Sequence, residues 1–149
     1  APERDPLLSS ARQYALTQNH KHLKEMKYVC DLEYAPVFCP VICDFYSGME
    51  VTVPLFASDI AGTRSDIENI YAQKYASEIV RYEKEASEGG YAAATAFSGK
   101  DSMQITVHGN DERIILVARY DNLGKGASGA AVECMNMVFG AEPVMGLCL

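Results

Sequence analysis

No stretch of this 149-residue chain approaches the roughly 18 consecutive apolar residues that a membrane-spanning helix needs, and its amino end, APERDPLLSS, is polar and unlike an export signal. Basic residues are scarce. Thirteen Lys and Arg stand against twenty Asp and Glu, a formal charge of -7, so nucleic acid or an anionic membrane surface would meet net repulsion. The five cysteines (Cys30, Cys39, Cys43, Cys134, Cys148) include no C-x-x-C pair and are odd in number, which fits neither a disulfide framework nor a zinc site. Each is expected to be a reduced, buried small hydrophobe in a cytoplasmic protein. No repeat or low-complexity tract is present. At 48% apolar and 22% charged, the composition is that of a globular chain, and the length predicts a single domain, 1–149, burying roughly 70% of its unfolded surface.

What is present reads as strands interspersed with helices. After a surface lead-in over residues 1–10 and a weakly apolar stretch from Ala11 to Thr17, Asn19 is placed as a helix N-cap, with Leu23, Met26 and Cys30 at helical spacing behind it. APVFCPVIC, apolar and bounded by prolines, reads as a strand. SGMEVTVPLF reads as another, with Met49, Val51, Val53 and Leu55 on one face and Pro54 placing it near an edge or strand end. Ser65 and Glu68 make a capping box ahead of Ile67, Ile70, Tyr71 and Tyr75, the stripe of a surface helix. EKEASEGG is a solvated connection. Met103, Ile105 and Val107 then alternate with Gln104, Thr106 and His108, and HGNDE turns the chain into Arg113–Arg119. The result is an antiparallel hairpin whose second strand is expected to be buried on both faces. Ala131, Val132, Met135, Val138 and Phe139 form a last helical stripe, closed by Gly140 and Pro143. This order predicts an α+β fold, a mixed and largely antiparallel sheet with helices on one face.

Gly124, Gly126 and Gly129 spell G-x-G-x-x-G between a strand and a helix, as a dinucleotide loop does. A self-contained nucleotide fold would then need a second parallel strand, and AEPVMGLCL is too short to supply it. Two readings stay open. Gly126, Ala130 and Cys134 are small enough for the helix to approach another backbone, or the free N–H groups at the helix start take an anion or cofactor in a pocket completed elsewhere. His20-Lys21-His22 invites a zinc reading, but behind a cap at Asn19 the two rings fall about 200° apart around a helix and no third ligand is placed, so no metal is expected. His22 alone, in the first turn, meets the positive end of the helix dipole, which favours a neutral ring able to accept a proton. The plain alternative is an exposed polar residue near a cap, and His108 is read as structural.

Three segments shift that balance. NHKHLKEM (Asn19–Met26), PVFCPVICDFYSGMEVTVPL (Pro36–Leu55) and RYDNLGKGASGAAVECMNMVFG (Arg119–Gly140) resemble, in that order, the second half of N-acetyl-gamma-glutamyl-phosphate reductase. That family belongs to the semialdehyde dehydrogenases and is similar in plan to glyceraldehyde-3-phosphate dehydrogenase. The resemblance implies a carboxy-terminal catalytic and dimerisation domain, with the amino-terminal NADP-binding domain and the nucleophilic cysteine outside this chain. It also implies a homodimer or homotetramer. His22 matches the second His of the family's His-x-His-x-x-Glu segment, the acid/base near the catalytic thiol, and His20 and Glu25 match its other fixed positions, on the substrate side. Lys24 stands where many members have Pro, and Ser47 where many have Arg. Asn122 resembles the asparagine that holds the nicotinamide carboxamide, and Gly126 begins the helix that returns to the nucleotide domain. The implied chemistry is attack of a thiolate on the acyl phosphate, loss of phosphate, and reduction of the thioester by NADPH to N-acetylglutamate 5-semialdehyde, in arginine biosynthesis. Competing readings are a stand-alone binding or oligomerisation module of the same fold, a sister reductase acting on aminoadipyl or aspartyl phosphate, and a zinc hydrolase using His20 and His22.

Overall fold

The computed structural model describes residues 5–149, and their contacts divide the chain between Tyr46 and Ser47 into two units, each built by itself. Of the expected lead-in, residues 1–4 lie outside the described residues, and Pro6–Ser9 forms one 3-10 turn capped by Asp5. The apolar run APVFCPVIC is mostly not a strand. Only β2 (Val41–Ile42) pairs, antiparallel, with β1 (Arg12–Gln13). Pro36 and Pro40 lack the N–H that a ladder needs. Gln18 stands in for a neighbouring strand, accepting from the Phe38 N–H at 2.9 Å and donating to the Phe38 carbonyl at 2.7 Å.

α1 spans Lys21–Val29, and its cap is His20 rather than Asn19. His20 Nδ1 accepts from the His22 N–H at 3.3 Å, because a cap side chain must reach the second or third amide of the helix and Asn19 stands one residue too far out. Leu23 is buried, as its spacing predicts, whereas Cys30 closes the helix and is exposed.

The second unit is a four-stranded sheet in the order β3-β6-β5-β4, comprising β3 (Met49–Phe56), β4 (Val80–Tyr82), β5 (Met103–Gly109) and β6 (Arg113–Tyr120). β3–β6 and β5–β6 are antiparallel and β4–β5 is parallel, so the sheet is mixed as expected. β4 was not expected, since three residues are too few for alternation to register. β3 lies at an edge, where Pro54 is tolerated. Register aligns Val51, Ala118 and Ile105, and likewise Val53, Leu116 and Val107, on one apolar face. α2 (Arg64–Lys74) packs on this face with Tyr71 and Tyr75 bordering Val51, Val53, Ile105 and Leu116. Its capping box is Thr63 with Asp66, which bond each other's backbone N–H, two residues ahead of the expected Ser65 and Glu68. Glu68 instead pairs with Arg64 at 3.3 Å.

The opposite face is polar and more deeply buried. Arg119, 1% exposed, donates from Nε to Gln104 Oε1 at 3.0 Å and from a terminal nitrogen to Glu88 at 2.6 Å, while Gln104 donates to Glu83 at 2.5 Å. The segment EKEASEGG is therefore not merely solvated. Its Glu88 pairs the buried guanidinium, which would be costly to bury unpaired, and its Glu83 accepts from the Gln104 that also bonds Arg119. The Arg119 bond in turn holds the Glu88 carboxyl below its ordinary range. β6 is buried on both faces at Ile114, Val117 and Arg119 but not at Ile115, which is exposed beside His108 at the border of an open groove.

Gly48 enters β3 with φ at +122°, and a Cβ there would meet Ala94 O at 2.5 Å and Thr95 Cα at 2.9 Å. Gly48→Ala is expected to destabilise the fold by roughly 2 kcal/mol, through overpacking and a disfavoured backbone. The check is the urea midpoint, and an unchanged value would mean that the 94–95 backbone yields.

β6 leads through a π-helical turn, Gly124–Ser128, into α3 (Gly129–Val138). A Cβ on Gly124 would strike Lys100 O, and one on Gly129 the Asp101 carboxylate, so close approach explains these two glycines. A Cβ on Gly126 would press at 3.2 Å only on its own preceding residues, Tyr120 and Asp121, and Cys134 is exposed, so the expected Gly126-Ala130-Cys134 seam is not the packed one. Among the described residues the carboxy-terminal end of the α3 stripe is uncovered, with Val138 and Phe139 81% and 80% exposed. The buried polar residue of α3 is Asn136, which donates to Pro143 O and Met145 O. All five cysteines are likewise exposed rather than buried. Apolar neighbours in sequence identify a face, but not whether the same chain covers it. No described helix is long and apolar enough to cross a membrane.

Candidate functional site

In the first unit, the capping geometry makes neighbours of two side chains that a continuous helix would have separated. Because His20 precedes the first helical residue, its ring lies edge-to-face with that of His22, centroids 4.6 Å apart, and the expected 200° separation does not occur. Tyr14 and Phe38 enclose His20 at 5.9 and 5.2 Å. With Nδ1 accepting from the backbone, a neutral His20 carries its proton on Nε2. His22 is half-exposed, and its Nε2 lies 3.8 Å from Glu25 Oε2, the two residues being brought together by their i, i+3 spacing. Glu25 therefore stands beside His22, where a carboxylate can align the ring and stabilise the imidazolium formed when it accepts a proton. Two adjacent rings do not make a metal centre, and among the described residues no group of three His, Cys, Asp or Glu converges.

In the second unit, the end of β6 carries Asp121 and Asn122. Asp121 is 2% exposed and accepts four hydrogen bonds. Oδ2 takes Ser47 Oγ at 2.7 Å and Gly99 N at 2.5 Å, and Oδ1 takes Leu123 N at 2.7 Å and Gly124 N at 3.1 Å. Burial alone would raise this carboxyl, but the four donors outweigh it and hold it down to about 2. Ser47 Oγ also lies 2.6 Å from Ser98 Oγ, so three turns, at 47–48, 98–99 and 121–124, converge on one carboxylate. Asn122, next in sequence, is thereby fixed, and its Oδ1 accepts from Gly48 N at 2.9 Å.

Gly126 lies within the π-helical turn, and its N–H is committed to Asp121 O at 2.8 Å. The Leu123 and Gly124 amides are taken by Asp121, and the Lys125 amide by Lys100 O. The helix start therefore offers an anion few free donors. Its own aspartate already occupies that role.

Sequence reasoning marks Ser47 only as a departure from the family's arginine, and it passes over Asp121 and Ser98. An aspartate two and three residues before a glycine-rich helix start is a capping signal that could have identified Asp121. Ser98 sits in a segment with no periodicity and gave none. A surface groove of about 370 Å³ lies over the polar face among Glu50, Thr52, Tyr91, His108 and Ile115 and includes none of the residues carried over from the resemblance.

Residues 4–122 match the family model described as the semialdehyde dehydrogenase dimerisation domain. Over 137 residues the chain is 43% identical to the N-acetyl-gamma-glutamyl-phosphate reductase of Sinorhizobium medicae, covering 86% of this chain and 44% of that protein. Over 144 residues it is 40% identical to N-acetyl-gamma-glutamyl-phosphate reductase 2 of a Nostoc species, covering 90% and 45%. The Brucella ovis reductase of the same name is 38% identical over 135 residues, covering 85% and 43%. The chain thus spans less than half the length of these relatives. With more than half of its residues matched by the family model, it belongs to the semialdehyde dehydrogenase family, as the dimerisation domain.

Proposed function

We propose that this domain serves an NADPH-dependent reductase in arginine biosynthesis, converting N-acetyl-gamma-glutamyl phosphate, the substrate in its relatives' names, to N-acetylglutamate 5-semialdehyde. The observation that carries the reading is the open His22–Glu25 pair at the start of α1. His22 accepts the proton of a thiol supplied by an amino-terminal domain outside these 149 residues, which frees the thiolate to attack the acyl carbon as phosphate departs. It later returns a proton to the sulfur when the aldehyde is released. Glu25 stands beside the ring, and His20 and Glu25 contact the substrate. NADPH, when bound, supplies hydride. Asn122 fits that cofactor, because with its oxygen held by Gly48 the free end of its amide is the donor Nδ2, suited to a carboxamide oxygen.

A domain of this family self-associates. The homodimer or homotetramer, the cytoplasmic location and the packing of the amino-terminal domain against the open stripe of α3 at Val138 and Phe139 belong to the proposal. The purified 149-residue domain is expected to leave NADPH unconsumed, while the complete polypeptide oxidises it with N-acetyl-gamma-glutamyl phosphate at least about tenfold more efficiently than with aminoadipyl or aspartyl phosphate. Turnover by the isolated domain, or preference for another acyl phosphate, would overturn the reading.

A further inference from the structure

We infer that Ser98 is a second contact for the cofactor amide, its hydroxyl presenting an acceptor and Asn122 a donor, so that the two together match a primary carboxamide. The inference rests on the cofactor role given to Asn122 above. It follows from the direction in which protons must run through the cluster. An ionised carboxylate only accepts, so the 2.7 Å contact between Ser47 Oγ and Asp121 Oδ2 uses the single hydroxyl proton of Ser47. The 2.6 Å contact between Ser47 and Ser98 can then be made only with the proton of Ser98. Ser98 is exposed, yet its proton points inward, and toward solvent it has only lone pairs to offer.

Asn122 has the opposite polarity. The Gly48 N–H fixes which end of the amide is oxygen, which leaves Nδ2 as the outward group. Ser47 and Gly48 are consecutive, and each holds one of the two side chains, so one turn ties the acceptor of the 98–99 turn to the donor at the end of β6. A primary carboxamide has the complementary pair, a carbonyl oxygen for Asn122 Nδ2 and an amino group for Ser98 Oγ. A methyl ketone keeps the first contact and loses the second.

The test uses the complete polypeptide and equilibrium binding, with NADP+ and its acetylpyridine analogue as probes in calorimetric titrations. The wild-type protein is expected to bind NADP+ about tenfold more tightly than the analogue, the scale of one hydrogen bond. Ser98→Ala should weaken NADP+ alone and bring the two Kd values within about twofold, and Ser98→Thr, which keeps the hydroxyl, should restore the gap. Asn122→Ala should weaken both ligands equally. A wild-type protein without the gap, or a Ser98→Ala variant that retains it, overturns the inference. If the Asn122→Ala variant binds both ligands normally, the cofactor role of Asn122 falls as well. If that variant is weakened while Ser98→Ala retains the gap, only the Ser98 contact falls.

Discussion

His22→Gln in the complete reductase is expected to lower kcat by about a thousandfold, within the range that a positioned acid/base contributes, with the Kd for NADP+ unchanged. Glutamine fills similar space and can hydrogen-bond, but it cannot carry a proton. The substitution leaves the cap intact, because the bond to His20 Nδ1 comes from the backbone of residue 22 rather than its ring. Unfolding of the variant should therefore match wild type, and the loss should lie in turnover. Steady-state kinetics with N-acetyl-gamma-glutamyl phosphate decide it, and a variant retaining a third or more of wild-type kcat would remove His22 from the chemistry.

Asp121→Asn should destabilise the second unit by roughly 3 kcal/mol, the cost of leaving buried donors without their acceptor. Asparagine can still receive the Leu123 and Gly124 amides on its oxygen. Its NH2 then faces the Gly99 N–H, donor against donor, at a site with almost no access to water. The pH dependence separates charge from shape. The folded carboxyl is held at about 2, below its ordinary value of 3.8, so its stabilisation is complete above about pH 4 and is lost as pH falls toward 2. The difference in urea midpoint between wild type and Asp121→Asn should therefore be largest near neutrality and shrink between pH 4 and 2. A difference that stays constant across that window would mean that the carboxylate charge is not what joins the three turns.

The elements that were legible in the sequence are those with several periods of pattern. The β5–β6 hairpin, the β3 edge strand with its proline and the helix after the glycine motif all lie where alternation or 3.6-residue spacing placed them. β4 is too short to show a period, and the proline-bounded run at 36–43 mimics a strand because apolar character survives where ladder donors do not. The cap of α1 was misplaced by one residue because His20, an uncommon capping residue, took the position of the more usual asparagine.

By itself the sequence determined the α+β class, the acidic character, the amphipathic stripes and the family, because each is written in neighbouring residues or in ordered motifs. Only the tertiary structure decided which polar groups are paired. It joined Arg119 to Glu88, and gathered Ser98 and Asp121, 51 and 74 positions from Ser47, with Ser47 around one buried charge. Secondary structure follows a local period, whereas the pairing of a buried polar atom depends on which distant backbone the fold brings within 3 Å of it.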